Sequence, residues 1–172
     1  MNQRLALVAG LAVALAVPHL VRSEFWLGFL ITVLLFAALG VAWNILGGYA
    51  GQFSFGHAAF FGTGAYATSV LHIGFGLNPW LGLAAAALAG GVVALVIGYL
   101  SFRYGLRGSY FALITLAFAE VLRILANWAD FTGGGVGLYV PLKVGFANLQ
   151  FASKTGYYYF ALGITVLALA AS

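Results

Sequence analysis

Glu120, Arg123 and Asn127 stand three and four residues apart in the run SYFALITLAFAEVLRILANW. A helix through this run carries all three on one face. The rest of the run is apolar, and an ionisable side chain in such surroundings is costly, about 2.5–3.5 kcal/mol at the centre of a membrane-inserted helix, unless it is paired or faces water. Two roles fit these residue types. One is a structural Glu120–Arg123 ion pair with Asn127 bonded to a neighbouring helix; the other is the lining of a passage, and the two are compatible.

A second polar cluster, Asn44, Gln52, Ser54 and His57, lies in and beside the stretch GGYAGQFSFGHAAFFGTG. Each glycine inside a helix costs about 1 kcal/mol relative to alanine, so Gly47, Gly48 and Gly51 predict that one apolar segment ends and a turn follows. The next helix is expected to start near Gln52. Within it Ala58, Gly62, Ala65 and Ser69 recur at spacings of four, three and four, a stripe of small residues that lets another helix approach closely. Gly51, Gly56 and Gly64 are assigned to the same packing set. Packing does not account for Gln52, Ser54 and His57. A broken or re-entrant helix, with freed backbone groups lining a polar cavity, would use them. His57 has no acidic neighbour in sequence and reads more readily as an interhelical hydrogen-bonding residue than as a proton carrier.

Other chemistries lack their residues. There is no G-x-x-x-x-G-K-[ST] phosphate loop, no H-E-x-x-H and no G-x-S-x-G. The acidic residues are Glu24, Glu120 and Asp130 only, and cysteine is absent, so paired-carboxylate catalysis, thiolate metal sites and cysteine nucleophiles have no basis. No enzyme activity, metal or cofactor is expected. The net charge of +4 is scattered and forms no basic patch for nucleic acid.

The elements that must position these clusters follow from composition. With 64% hydrophobic and 6% charged residues, the chain cannot cover a soluble core with a water-facing shell. Continuous apolar runs of about 20 residues, long enough to cross a bilayer as helix, cover Leu5–Val21, Phe25–Leu46, Phe53–Ile73, Leu81–Leu100 and Ser109–Trp128. A sixth run begins near Tyr157. The expectation is an all-α polytopic transmembrane helix bundle of about six spans, because barrel strands would alternate apolar and polar residues. Arg4 with Leu5–Val17 and Ala14-Leu15-Ala16 resembles a secretory signal, but a first span starts in the same way and is the reading preferred.

Lys and Arg near span ends suggest a cytoplasmic N-terminus. Arg4, Arg103 and Arg107 then lie inside. Arg22, Glu24 and the loop Ala129–Gly156, with Gly133-Gly134-Gly135, Pro141, Lys143 and Lys154, lie outside. Trp26, Trp80 and Trp128 fit an outer aromatic belt and Trp43 an inner one, while His19 and His72 read as interfacial. The last run, Tyr157–Ala171, is short for a span, which suggests a piece of a longer protein.

NILGGYAGQFSFGHAAFFGTGAYATSVL, Asn44–Leu71, closely resembles the signature of the branched-chain amino acid ABC transporter permeases. LRGSYFALITLAFAEVLRILANWADFTGGGVGL, Leu106–Leu138, resembles the second signature of that family. TGGGVGL is similar to the M-type of its two related permease subunits. Gly51, Ser54, Gly56, His57, Phe60, Gly64 and Tyr66 match the first signature. Leu106, Arg107, Gly108, Tyr110, Thr115, Glu120, Arg123, Thr132, Gly133, Gly134 and Gly137 match the second.

The resemblance implies that residues 1–172 are the N-terminal portion of a transmembrane permease domain in the bacterial inner membrane. It implies a second homologous permease subunit, two cytoplasmic ATP-binding subunits and a periplasmic substrate-binding protein that delivers leucine, isoleucine or valine. The loop that couples to the ATPases would lie beyond Ser172. Asn44, Gln52, Ser54, His57, Glu120, Arg123 and Asn127 are the candidates for the translocation path. The alternatives are a related permease for urea, short amides or other amino acids, a channel or ion-coupled carrier gated by Glu120 and Arg123, and a membrane scaffold.

Overall fold

The computed structural model describes residues 3–21 and 23–172. Arg22, and the side chain of Arg4, both used above for orientation, lie outside the described residues. Six α-helices follow one another: α1 (Gln3–Leu20), α2 (Glu24–Asn44), α3 (His57–Phe75), α4 (Pro79–Arg103), α5 (Ser109–Trp128) and α6 (Lys154–Ala171). Among the described residues no strand forms beyond a single bridge between Gly145 and Gln150. The chain is thus all-α. By length and apolar composition α2 with its extension to Tyr49, α4 and α5 are each able to cross a membrane. The other three are apolar helices of 18 or 19 residues.

Two compact units divide the chain, Met1–Ala42 with Phe151–Ser172, and Trp43–Gln150. In the first, α6 runs beside α2 in the same direction. Lys154 Nζ donates to Glu24 O at 2.8 Å and lies 3.7 Å from Glu24 Oε2, and Thr165 Oγ1 donates to Leu34 O at 3.0 Å. Against α1, the contacts answer a defect in that helix. Pro18 lies inside α1 and has no N–H, so the carbonyl four residues earlier, that of Ala14, loses its intrahelical donor. The Tyr158 hydroxyl donates to that carbonyl at 2.9 Å. The Tyr159 hydroxyl bonds the next one, Leu15 O, at 3.1 Å and lies 3.1 Å from His19 Nε2. In a bilayer every freed backbone acceptor needs such a partner.

In the second unit α3 and α4 form a close hairpin. Gly76 ends α3 in the left-handed conformation (φ 64°), Leu77 N donates back to Leu71 O, and Asn78 Oδ1 caps α4 by accepting from Trp80 N at 2.9 Å, with Pro79 at the first helical position. His72 Nδ1 lies 2.9 Å from Leu77 O, so this histidine belongs to the turn. The backbones then approach at three levels. A methyl group on Gly64 would sit 3.3 Å from Ala86 Cβ and O, one on Gly90 3.3 Å from Phe60 O, and one on Gly82 2.7 Å from Thr68 Cγ2. Gly82, Ala86 and Gly90 recur every four residues and make a flat face on α4. Thr68 Oγ1 adds a bond to Gly82 O at 2.9 Å.

This differs from the expected stripe. Gly64 does pack, but Ala58 and Ala65 are exposed and Gly62 has nothing within 4 Å of where a side chain would be. The face of α3 turned to α4 is that of Phe60, Gly64 and Thr68, because that face meets the glycines of α4. The turn also starts later than expected. Gly47 and Gly48 remain helical in a wide π-turn, Ile45–Tyr49, that prolongs α2. A methyl group there would meet the Trp43 ring at 3.0 Å or Asn44 Oδ1 at 2.5 Å, so these glycines make room for side chains one turn back. The chain leaves the helix after Tyr49, and Gly51 takes a positive φ of 63° with open space around it. Gly51 therefore serves conformation, and packing makes no demand on it.

Candidate translocation groove

Between α2 and α3 the backbone from Gln52 to Gly56 is non-helical, so α3 begins at His57 rather than near Gln52. From there to Phe75 the helix is unbroken. What holds the irregular segment is a set of bonds to both neighbours. Trp43 Nε1 donates to Ser54 O at 2.8 Å, Phe55 N donates to Thr115 Oγ1 at 3.1 Å, and Gly56 N donates to Ser54 Oγ at 3.2 Å. Thr115 Oγ1 in turn donates to Ala112 O at 2.9 Å. Ser54 is 2% exposed and Thr115 1%. Gly56 is required because a methyl group would stand 3.0 Å from Thr115 O and 3.2 Å from its Cβ, both fixed by helix α5. This knot sets the distance between the start of α3 and α5 at Thr115.

Beyond the knot α3 and α5 diverge and leave a groove of about 970 Å³. One wall is the exposed face of α3, with Ala58, Gly62, Thr63 and Tyr66; the other is the polar face of α5, with Glu120, Arg123 and Asn127; Phe131 and Thr132 stand at the end. Ala58 and Gly62, small residues of α3 that do not pack on α4, help to open this space.

On α5 the guanidinium of Arg123 grips Glu120 twice, Nε to Oε2 at 2.9 Å and the second nitrogen to Oε1 at 2.6 Å. Two parallel charge-assisted bonds hold the pair in one plane. The side chains are more than half exposed, 63% for Arg123 and 53% for Glu120. Both side chains face the groove, the kind of space into which charges on an apolar helix turn.

The two sequence clusters are therefore not joined. Glu120, Arg123 and Asn127 line the groove, whereas Asn44, Gln52, Ser54 and His57 do not. Ser54 is sealed in the knot. Asn44 lies over the π-turn, and the half-buried His57 ring stands edge-on to Phe60 at 5.7 Å. Gln52 Oε1 is buried without a hydrogen-bond partner among the described residues. The sequence reading missed Thr63 and gave Thr115 no role in holding the site. Its one available signal was a hydroxyl in the middle of an apolar helix.

The end of the groove is shaped by the glycines after α5. Thr132 Oγ1 lies 2.6 Å from Ala126 O and 2.7 Å from Ala129 O, covering carbonyls that the end of α5 leaves open. Gly133 has φ 78°, and a side chain there would run into the Gly137 carbonyl.

Apolar helices around a groove that holds an ion pair define a polytopic helical membrane protein. The family model described as branched-chain amino acid transport system / permease component matches residues 25–172, and the chain belongs to this family. It is 32% identical over 155 residues to the high-affinity branched-chain amino acid transport system permease protein LivM of Salmonella typhimurium, covering 90% of this chain and 36% of that one. To LivM of Escherichia coli it is 33% identical over 152 residues, covering 88% and 35%. The chain thus spans about a third of the length of these relatives. No solved structure matches it significantly.

Proposed function

We propose that this chain supplies one wall of the passage in an ABC importer for branched-chain amino acids. The groove between α3 and α5 is the observation that carries the reading. A zwitterion with an aliphatic side chain needs an apolar wall and one site where opposite charges stand side by side. Ala58, Gly62 and Tyr66 offer the first, and Glu120 with Arg123 the second. Membership of the permease family and the names of the relatives support the same substrate class.

In this reading both compact units belong to one transmembrane permease domain in the bacterial inner membrane, with the N-terminus cytoplasmic. A homologous permease subunit closes the groove, a periplasmic binding protein delivers substrate, and two ATP-binding subunits drive the change of access. The bias must come from those subunits, because a conformational change needs a differential interaction with its two states. Glu120, Arg123 and Asn127 contact substrate weakly and in passing. Asn44, Gln52 and His57, which do not line the groove, make no contact with substrate in this reading.

The test is uptake of labelled leucine, urea and glutamate by the complete reconstituted system. Leucine uptake that depends on ATP supports the proposal; preference for urea or glutamate moves the substrate class. Uptake that persists without the ATPase subunits sinks it and favours a carrier gated by the Glu120–Arg123 pair.

A further inference from the structure

We infer that the loop Val136–Phe146 lies in the interfacial layer of the membrane rather than in the aqueous space beside it. The loop is built inside out for a water-facing segment. Its large apolar side chains point away from the protein: Val136 is 99% exposed, Tyr139 90%, Leu142 80% and Phe146 70%. The amide side chains of Asn148 and Gln150, just after the loop, bond its backbone. Gln150 accepts from Lys143 N through Oε1 and donates from Nε2 to Pro141 O at 3.0 Å, while Asn148 Nδ2 donates to Lys143 O at 3.0 Å. Gly145 N donates to Gln150 O at 2.7 Å.

These bonds tie down the backbone at Pro141, Lys143 and Gly145, and the groups they leave open can be hydrated in the headgroup layer, which the hydrocarbon core would not allow. The loop is also joined to a surface already in the membrane. Trp80, at the start of α4, donates from Nε1 to Phe146 O at 2.9 Å, and the two rings stand 5.1 Å apart. On α4 itself, Leu81 and Leu88 are exposed, as are the loop's apolar side chains. Aromatic rings at the level of the headgroups and a lysine able to reach the phosphates, here Lys143, are what such a layer selects. A lipid surface rather than a soluble protein is therefore the occupant.

These 172 residues contain no cysteine, and any cysteine in the rest of the permease or its subunits would first be replaced by serine so that each label is single. Val136→Cys, Tyr139→Cys and Leu142→Cys would each be made in the full-length permease with its co-purified subunits. They would carry a nitroxide, with Arg107→Cys as a control at the opposite connection. In nanodiscs of phosphatidylethanolamine and phosphatidylglycerol, without any binding protein, the ratio of oxygen to nickel-chelate collision rates is expected to be about threefold or more higher at 139 and 142 than at 107. Nickel-favoured collisions at 139 and 142, equal to those of the control, overturn the inference. So does protection that arises only when a soluble binding protein is added. Because all three positions are exposed, the substitutions leave the fold intact, and uptake by the labelled variants checks this.

Discussion

Tyr158 shows how much of this structure rests on single polar atoms at membrane depth. Its hydroxyl serves the Ala14 carbonyl that Pro18 leaves without a donor. Tyr158→Phe should therefore cost about 1–3 kcal/mol, measured as a lower unfolding temperature in detergent. In a Pro18→Ala background, where the helix supplies its own N–H, that penalty should largely disappear, and an unchanged penalty would refute the pairing. Thr115 makes the same argument for the groove. Thr115→Val removes the acceptor for Phe55 N and should reduce folded protein and stability, while Thr115→Ser keeps the bond and most of both. Glu120→Gln separates structure from pathway. If uptake keeps its rate and pH dependence while only the amount of folded protein falls, the pair is structural. The ion pair was legible in the sequence because charge in an apolar run is conspicuous. The Tyr158 and Thr115 roles were not, because a hydroxyl is common and its partner lies 144 or 60 residues away.

Helices were legible where their ends carry strong signals. The fifth apolar run, Ser109–Trp128, is α5 to the residue, bounded by Gly108 at a positive φ and by the turn at Ala129. The start of α3 was displaced because Gln52–Gly56 has helix-compatible composition but is pulled straight by bonds to Trp43 and Thr115, which lie on other elements. The packing face of α3 could not be read from α3 alone. Small residues occur on more than one of its faces, and Gly82, Ala86 and Gly90 on α4 decide which is used. This distinction yields a paired test. Gly64→Leu should drive α3 from α4 and sharply lower the yield of folded protein. Gly62→Leu projects into the groove, so folded protein should stay near the native level while leucine uptake falls at least several-fold. Equal effects of the two substitutions on yield would contradict the assignment of faces.

At the scale of the molecule, consecutive crossings by α3, α4 and α5 would put the connections at Ala50 and Arg107 on one side and those at Leu77 and Gly135 on the other. Membrane-impermeant maleimide should label Ala50→Cys and Arg107→Cys from one face of sealed vesicles and Leu77→Cys and Gly135→Cys from the opposite face. The helical class and the number of apolar segments were plain from composition. The groove was not, since it lies between two helices separated in sequence by the whole of α4 and joined through the bond from Phe55 N to Thr115, 60 residues away. The form of the Glu120–Arg123 pair has a consequence for biogenesis. Both partners lie on α5 itself, three residues apart, so the charges can cancel without a partner from any neighbouring helix. The nascent segment then enters the lipid phase as a dipole with no net charge. Its release from the insertion machinery does not have to wait for the rest of the bundle to assemble.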